Sequence, residues 1–125
     1  MKLVIFDLDD TLFDRLGQLD ETYSNLPNIK PFPDTFDVLK APGFQKLLVS
    51  FGNPEIQNKK IDVLGSRSFF DDIIFCSNNK HEKKEIFDKI SEKYKTKDVI
   101  VVGDRIDSEL RFGKMLGFIT VRLKH

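Results

Sequence analysis

Five short apolar runs, at 2–6, 46–50, 72–75, 98–103 and 119–123, constrain this chain more than any other feature. They are rich in Ile, Val, Leu and Phe and do not keep a strict polar/apolar alternation, as expected of strands buried on both faces. Between them, 33–41, 54–64, 80–94 and 107–116 read as helices, with Pro33 and Pro54 suited to first turns and Gly117 to a C-terminal stop. Strand and helix thus alternate. That pattern predicts a three-layer α/β/α Rossmann-like fold, a five-stranded parallel sheet with helices on both faces and right-handed crossovers. At 125 residues, with no repeat, low-complexity tract or linker, the chain is expected to form one domain over 1–125.

In such a sheet, ligands bind beyond the carboxyl ends of the strands, where the strand order reverses. Asp7 and Asp9 follow the first run, Ser50 ends the second, and Asp104 follows Gly103 at the end of the fourth. Three polar clusters should therefore converge on one edge. Bulk charge points to no competing site: 20 Lys and Arg balance 20 Asp and Glu, so no global field favours nucleic acid or a membrane surface. Cys76 is the only cysteine, which excludes an internal disulfide and favours a reducing compartment. An aspartate interrupts the apolar start within a few residues, so neither a secretory signal nor a membrane span is expected. A cytoplasmic location follows as the expectation.

The stretch Asp7-Leu8-Asp9-Asp10-Thr11-Leu12 resembles the DxDxT motif of the haloacid dehalogenase superfamily, mostly phosphatases with an aspartate nucleophile. Later stretches keep that family's order. Leu47-Leu48-Val49-Ser50 is similar to its second motif, a lysine within 80–84 would be the third, and Val101-Val102-Gly103-Asp104 with Asp107 and Glu109 resembles the fourth. The resemblance implies a haloacid dehalogenase-like core in which Asp7 is the nucleophile and carries a covalent phosphoryl group. It implies that Asp9 protonates the leaving alcohol and then activates water. Like-charge crowding favours the protonated form of a carboxyl, which would give a density of aspartates a use. Substrate contacts are implied for Thr11, Ser50, Phe51 and Gly52.

Carboxylates facing a phosphate dianion need a cation, and Mg²⁺ suits oxygen ligands while keeping several waters. The resemblance implies the Asp7 side chain, the Asp9 main-chain carbonyl and Asp104 as its ligands, with Asp107 or Glu109 in support. Asp107 is equally well read as a helix N-cap. Asp10 lies outside the motif's core and reads as solvated.

Helix geometry selects among the lysines. Ile86, Phe87, Ile90 and Tyr94 form an apolar stripe that Lys83 extends, whereas Lys84 aligns with Asp88, Ser91 and Lys95 on the polar face. Lys83 is the inward candidate, and Lys80, before the helix, is its rival. In this superfamily, cap modules enter after the first motif or between the second and third. Here 13–43 and 51–82 have no room for a large one, so the site should be open, closed at most by residues near 13–27. An open site would admit a bulky or macromolecular phosphorylated substrate. Two alternatives remain at this stage. A receiver-like signalling module is disfavoured because its acceptor follows the third strand, where Cys76-Ser77-Asn78-Asn79 has no aspartate. The other is a silent binding protein with the same fold.

Overall fold

The computed structural model describes residues 2–20, 22–33, 35–76, 80–94, 99–103 and 119–122. In chain order these form β1 (Lys2–Phe6), α1 (Arg15–Gln18), α2 (Thr35–Lys40), β2 (Phe44–Phe51), α3 (Pro54–Val63), β3 (Asp72–Cys76), α4 (Lys80–Tyr94), β4 (Val99–Gly103) and β5 (Ile119–Arg122). Short 3₁₀ turns lie at Leu26–Asn28 and Arg67–Phe69. All strand pairs are parallel, in the order β3-β2-β1-β4-β5. The chain builds outward from β1 to β2 and β3, then crosses to β4 on the far side. The strand order therefore reverses between β1 and β4, where Phe6 pairs with Val102.

Burial on both faces explains why the runs do not alternate. Leu3, Ile5, Leu47, Val49, Val99 and Val101 pack with Phe87 and Ile90 of α4 on one face. Val4, Phe6 and Leu48 pack with Leu39 of α2 and with Ile61 and Leu64, in and just after α3, on the other. Successive residues of β1 and β2 serve opposite layers, as the pleat requires.

Helix bounds follow local chemistry. Pro54 opens α3 behind Asn53, whose Oδ1 accepts from the N–H groups of Glu55 (2.9 Å) and Ile56 (3.4 Å). Asn53→Ala should lower stability by about 0.5–2 kcal/mol, read as a shift of the urea midpoint at constant slope. Pro33, by contrast, sits in a turn ahead of α2, which starts only at Thr35. Strand β2 exceeds its expected span at both ends, because 44–48 pairs with β1 and 47–51 with β3. The expected helix at 107–116 lies outside the described residues, as do Asp98 and Leu123.

Candidate active site

Beyond Phe6 the chain stays extended for one more residue, and Asp7 donates its N–H to the carbonyl of Val102 at 3.2 Å. Asp7 thus sits at the carboxyl end of β1, on the boundary with β4 where the order reverses. Its carboxylate is buried, 8% exposed, and Oδ1 accepts from the Leu8 N–H at 2.8 Å. The backbone then makes a single turn, in which the Leu8 carbonyl accepts from Thr11 (3.3 Å) and Leu12 (3.0 Å). Asp10 lies in that turn with φ 58°, a left-handed conformation that Asp tolerates better than most residues. Its Oδ1 accepts from the Arg15 N–H at 2.8 Å, so Asp10 fixes the start of α1 and is not merely solvated.

The next segment is tied back to the motif. Phe13 forms a parallel bridge with Asp9 and an antiparallel one with Pro31. Gln18 closes the excursion between them: its side-chain amide donates to the Lys30 carbonyl (2.9 Å) and accepts from the Lys30 N–H (2.7 Å), as a paired strand would. Inside that loop the Asp20 carboxylate accepts from the Ser24 N–H and from the Thr22 and Ser24 hydroxyls, which holds it below the usual carboxylate range. Asn25 donates to the Gln18 carbonyl. The loop carries Tyr23, at φ 57°, over the site.

Helix α3 supplies the opposite wall. Gln57 and Lys60, three residues apart, are each 2% exposed and turn towards Asp9. Lys60 Nζ lies 2.8 Å from Asp9 Oδ1, and Gln57 Nε2 donates to Asp9 Oδ2 at 3.2 Å, to Ser50 Oγ at 2.9 Å and to the Phe51 carbonyl at 3.3 Å. The Lys60 ammonium also lies over the rings of Phe13 (5.8 Å) and Tyr23 (5.7 Å), a favourable cation–π arrangement. A cation and an amide thus surround the Asp9 carboxylate, where the crowding of aspartates in sequence suggested like charge. A hydrogen bond to Tyr23 raises the Arg15 pKa above its already high ordinary value; burial opposes this, and Asp9 and Asp10 add to it. Its guanidinium is a fixed positive charge.

These groups line a cleft of about 220 Å³ bounded by Asp7, Asp9, Arg15 and Tyr23 on one side and Gly52, Asn53, Ile56, Gln57 and Lys60 on the other, with Phe51 between. Gly52 adopts φ 133°, which only glycine takes without strain, and donates its N–H to the Cys76 carbonyl at 2.9 Å. Phe51 and Gly52 thus line the cleft. Ser50 and Thr11 lie beneath its surface: Ser50 is fully buried against Gln57, and Thr11 is 4% exposed with its Oγ1 unpartnered among the described residues. On α4, Lys84 is exposed, whereas the side chains of Lys80 and Lys83 lie outside the described set. So do Asp104, Asp107 and Glu109, although β4 brings the chain to Gly103 beside β1.

The donor set suits a hard cation. The Asp7 carboxylate and the Asp9 main-chain carbonyl would offer oxygen, and among the described residues that line the cleft there is no histidine or cysteine, which fits Mg²⁺ better than zinc or copper. The Asp9 side chain engages Lys60 and Gln57 through its two oxygens, so the residue would meet a metal through its main-chain carbonyl. Among the described residues no three His, Cys, Asp or Glu side chains cluster. A complete ligand set therefore needs Asp104 or its neighbours.

Sequence reasoning missed Lys60, Gln57, Arg15 and Tyr23. A signal for Lys60 existed: Ile56, Lys60 and Leu64 fall four residues apart, which places the lysine in an apolar stripe.

The profile of the haloacid dehalogenase-like hydrolases matches residues 15–117, beyond Asp7 and Asp9, so the match does not depend on the first motif. Two curated relatives are glyceraldehyde 3-phosphate phosphatases. The one from Methanocaldococcus jannaschii is 33% identical over 111 residues, covering 82% of this chain and 49% of its own. The one from Methanopyrus kandleri is 30% identical over 103 residues, covering 77% and 44%. The chain spans about half the length of these curated relatives. A magnesium-bound haloacid dehalogenase-type hydrolase from Bacillus subtilis superposes with a TM-score of 0.75 at 14% identity, over 98% of this chain and 86% of that one.

Proposed function

The chain belongs to the haloacid dehalogenase-like hydrolase family, and on that premise we propose that it is a Mg²⁺-dependent phosphatase that takes the phosphoryl group of a small phosphomonoester onto Asp7. The observation that carries this reading is a cleft at the carboxyl ends of β1 and β2, with Asp7, which adjoins the strand-order reversal, in its wall and the Asp9 carboxylate held beside it.

In the first step an Asp7 carboxylate oxygen forms a bond to phosphorus while the bond from phosphorus to the leaving oxygen breaks, and Asp9 gives that oxygen a proton. In the second, Asp9 takes a proton from water, the water oxygen bonds to phosphorus, and the bond from Asp7 to phosphorus breaks to release phosphate. Mg²⁺, held by Asp7, the Asp9 carbonyl and Asp104, would neutralise charge on the transferring group. The fixed charge of Arg15, in the wall of the cleft, would orient the substrate. Lys83 or Lys80 would add positive charge from the start of α4.

Substrate size is a separate inference. A cleft of about 220 Å³ is smaller than the roughly 300–1,000 Å³ pockets that take drug-sized ligands, and the curated relatives are phosphatases of a triose phosphate. Both favour a small leaving group over the bulky one an open site suggests. Residues 1–125 would act as one core without a large cap, since the described residues of 13–43 and 52–76 form short helices, 3₁₀ turns and β3. No helix among the described residues is long and apolar enough to cross a membrane, and a cytoplasmic setting suits a metabolite phosphatase.

Hydrolysis of an aryl phosphate and of glyceraldehyde 3-phosphate by the purified protein tests this. Turnover with Mg²⁺ should vanish in chelator and return with excess Mg²⁺. Equal rates in chelator would remove the metal from the mechanism. No release of phosphate from either compound would leave a binding role in place of an enzyme.

A further inference from the structure

Lysine at position 60 is not explained by packing. It lies in the apolar stripe of α3 between Ile56 and Leu64, where an apolar side chain would fill the same space without burying a charge. Replacing a buried ion pair by apolar groups of similar volume is often neutral or stabilising, so the pair with Asp9 is weak evidence for a stabilising role. Its geometry is specific, however. Lys60 takes one oxygen of Asp9 at 2.8 Å and Gln57 takes the other at 3.2 Å, so rotating the carboxylate about its Cβ–Cγ bond breaks at least one contact. Gln57 is itself braced against Ser50 Oγ and the Phe51 carbonyl, which ties the arrangement to the end of β2.

We infer that Lys60 and Gln57 are positioning residues that hold the Asp9 carboxylate in the orientation from which it exchanges a proton with the leaving group. The inference rests on the proposed acid–base role of Asp9. Both residues act through Asp9, so removing them weakens proton delivery and leaves the attack by Asp7 in place.

That distinction has a chemical readout. A leaving group that is a poor base departs without a proton, whereas a basic one needs the acid in the transition state. Impaired positioning should therefore slow release of a basic leaving group far more than release of a weakly basic one. A merely structural defect would slow both alike.

The experiment follows release of phenol from phenyl phosphate and of dinitrophenol from dinitrophenyl phosphate in the first turnover, with Mg²⁺, for the native chain, Lys60→Met, Gln57→Leu and Asp7→Asn. For Lys60→Met the expected loss on phenyl phosphate is about 10²-fold, at least about ten times the loss on dinitrophenyl phosphate. Gln57→Leu should show the same bias at smaller size, and it carries the test if Lys60→Met does not fold. Equal losses on both esters, or none, would overturn the positioning role while the phosphatase reading stands. If the native chain releases neither product faster than Asp7→Asn, the phosphatase reading itself fails and the inference falls with it.

Discussion

Asp7→Asn is expected to abolish turnover, by roughly 10³-fold or more, while the thermal midpoint stays close to that of the native chain. The amide keeps the shape of the carboxylate, and its oxygen still accepts from the Leu8 N–H that holds Asp7 at 2.8 Å. What it loses is the negative oxygen that would bond to phosphorus. An acid-quenched reaction of the native protein should trap phosphate on the chain, and the variant should trap none. Turnover within tenfold of native would place the nucleophile elsewhere, and the reading built on the end of β1 would have to be abandoned.

Phe13→Ala is expected to have the largest effect on stability, a loss of about 3–5 kcal/mol. Phe13 is fully buried in the cluster shared by β1, α2 and α3, and it makes bridges to both Asp9 and Pro31. Truncation removes a large apolar volume and loosens the packing behind the Phe13–Pro31 bridge, which joins residues far apart in sequence. Against a typical total of about 5–15 kcal/mol, such a loss brings the domain near its unfolding threshold at moderate temperature. Turnover should fall in whatever fraction remains folded, because the ring also faces Lys60 across from Asp9. Urea denaturation measures the first effect. A change below about 1 kcal/mol would mean that the 13–31 segment contributes little to the core.

The sheet was legible from the apolar runs because burial on two faces leaves a signal in each run alone. Strand β1 and helix α4 occupy the spans expected of them, since their ends coincide with Asp7, with Lys80 and with the end of the apolar stripe at Tyr94. The motif residues were legible as chemistry, and the end of β1 places Asp7 in the wall of a cleft. Their surroundings were not. Lys60 and Gln57 reach Asp9 across about fifty residues of sequence, a pairing made by the docking of α3 on the sheet. Asp10 serves as the acceptor for Arg15 only because the turn places it at positive φ, a choice made by the path of the backbone rather than by residue type. The segment from Phe13 to Pro31 was equally opaque, since side-chain clasps and isolated bridges order it and no periodic pattern records them.

Gln18 gives that segment a further significance. By pairing with both backbone polar groups of Lys30, its amide fixes the two ends of the intervening loop, and Asn25 adds one tie from within it. Within it, Leu26 and Ile29 are buried and must keep their packing, whereas exposed Thr22, Ser24, Pro27 and Asn28 can be exchanged with little penalty to the sheet. Tyr23 is carried within that loop, whereas Asp7 and Asp9 follow directly on β1. A lineage could therefore retune which compound it accepts by rewriting one short cassette, with the bond-breaking apparatus inherited unchanged.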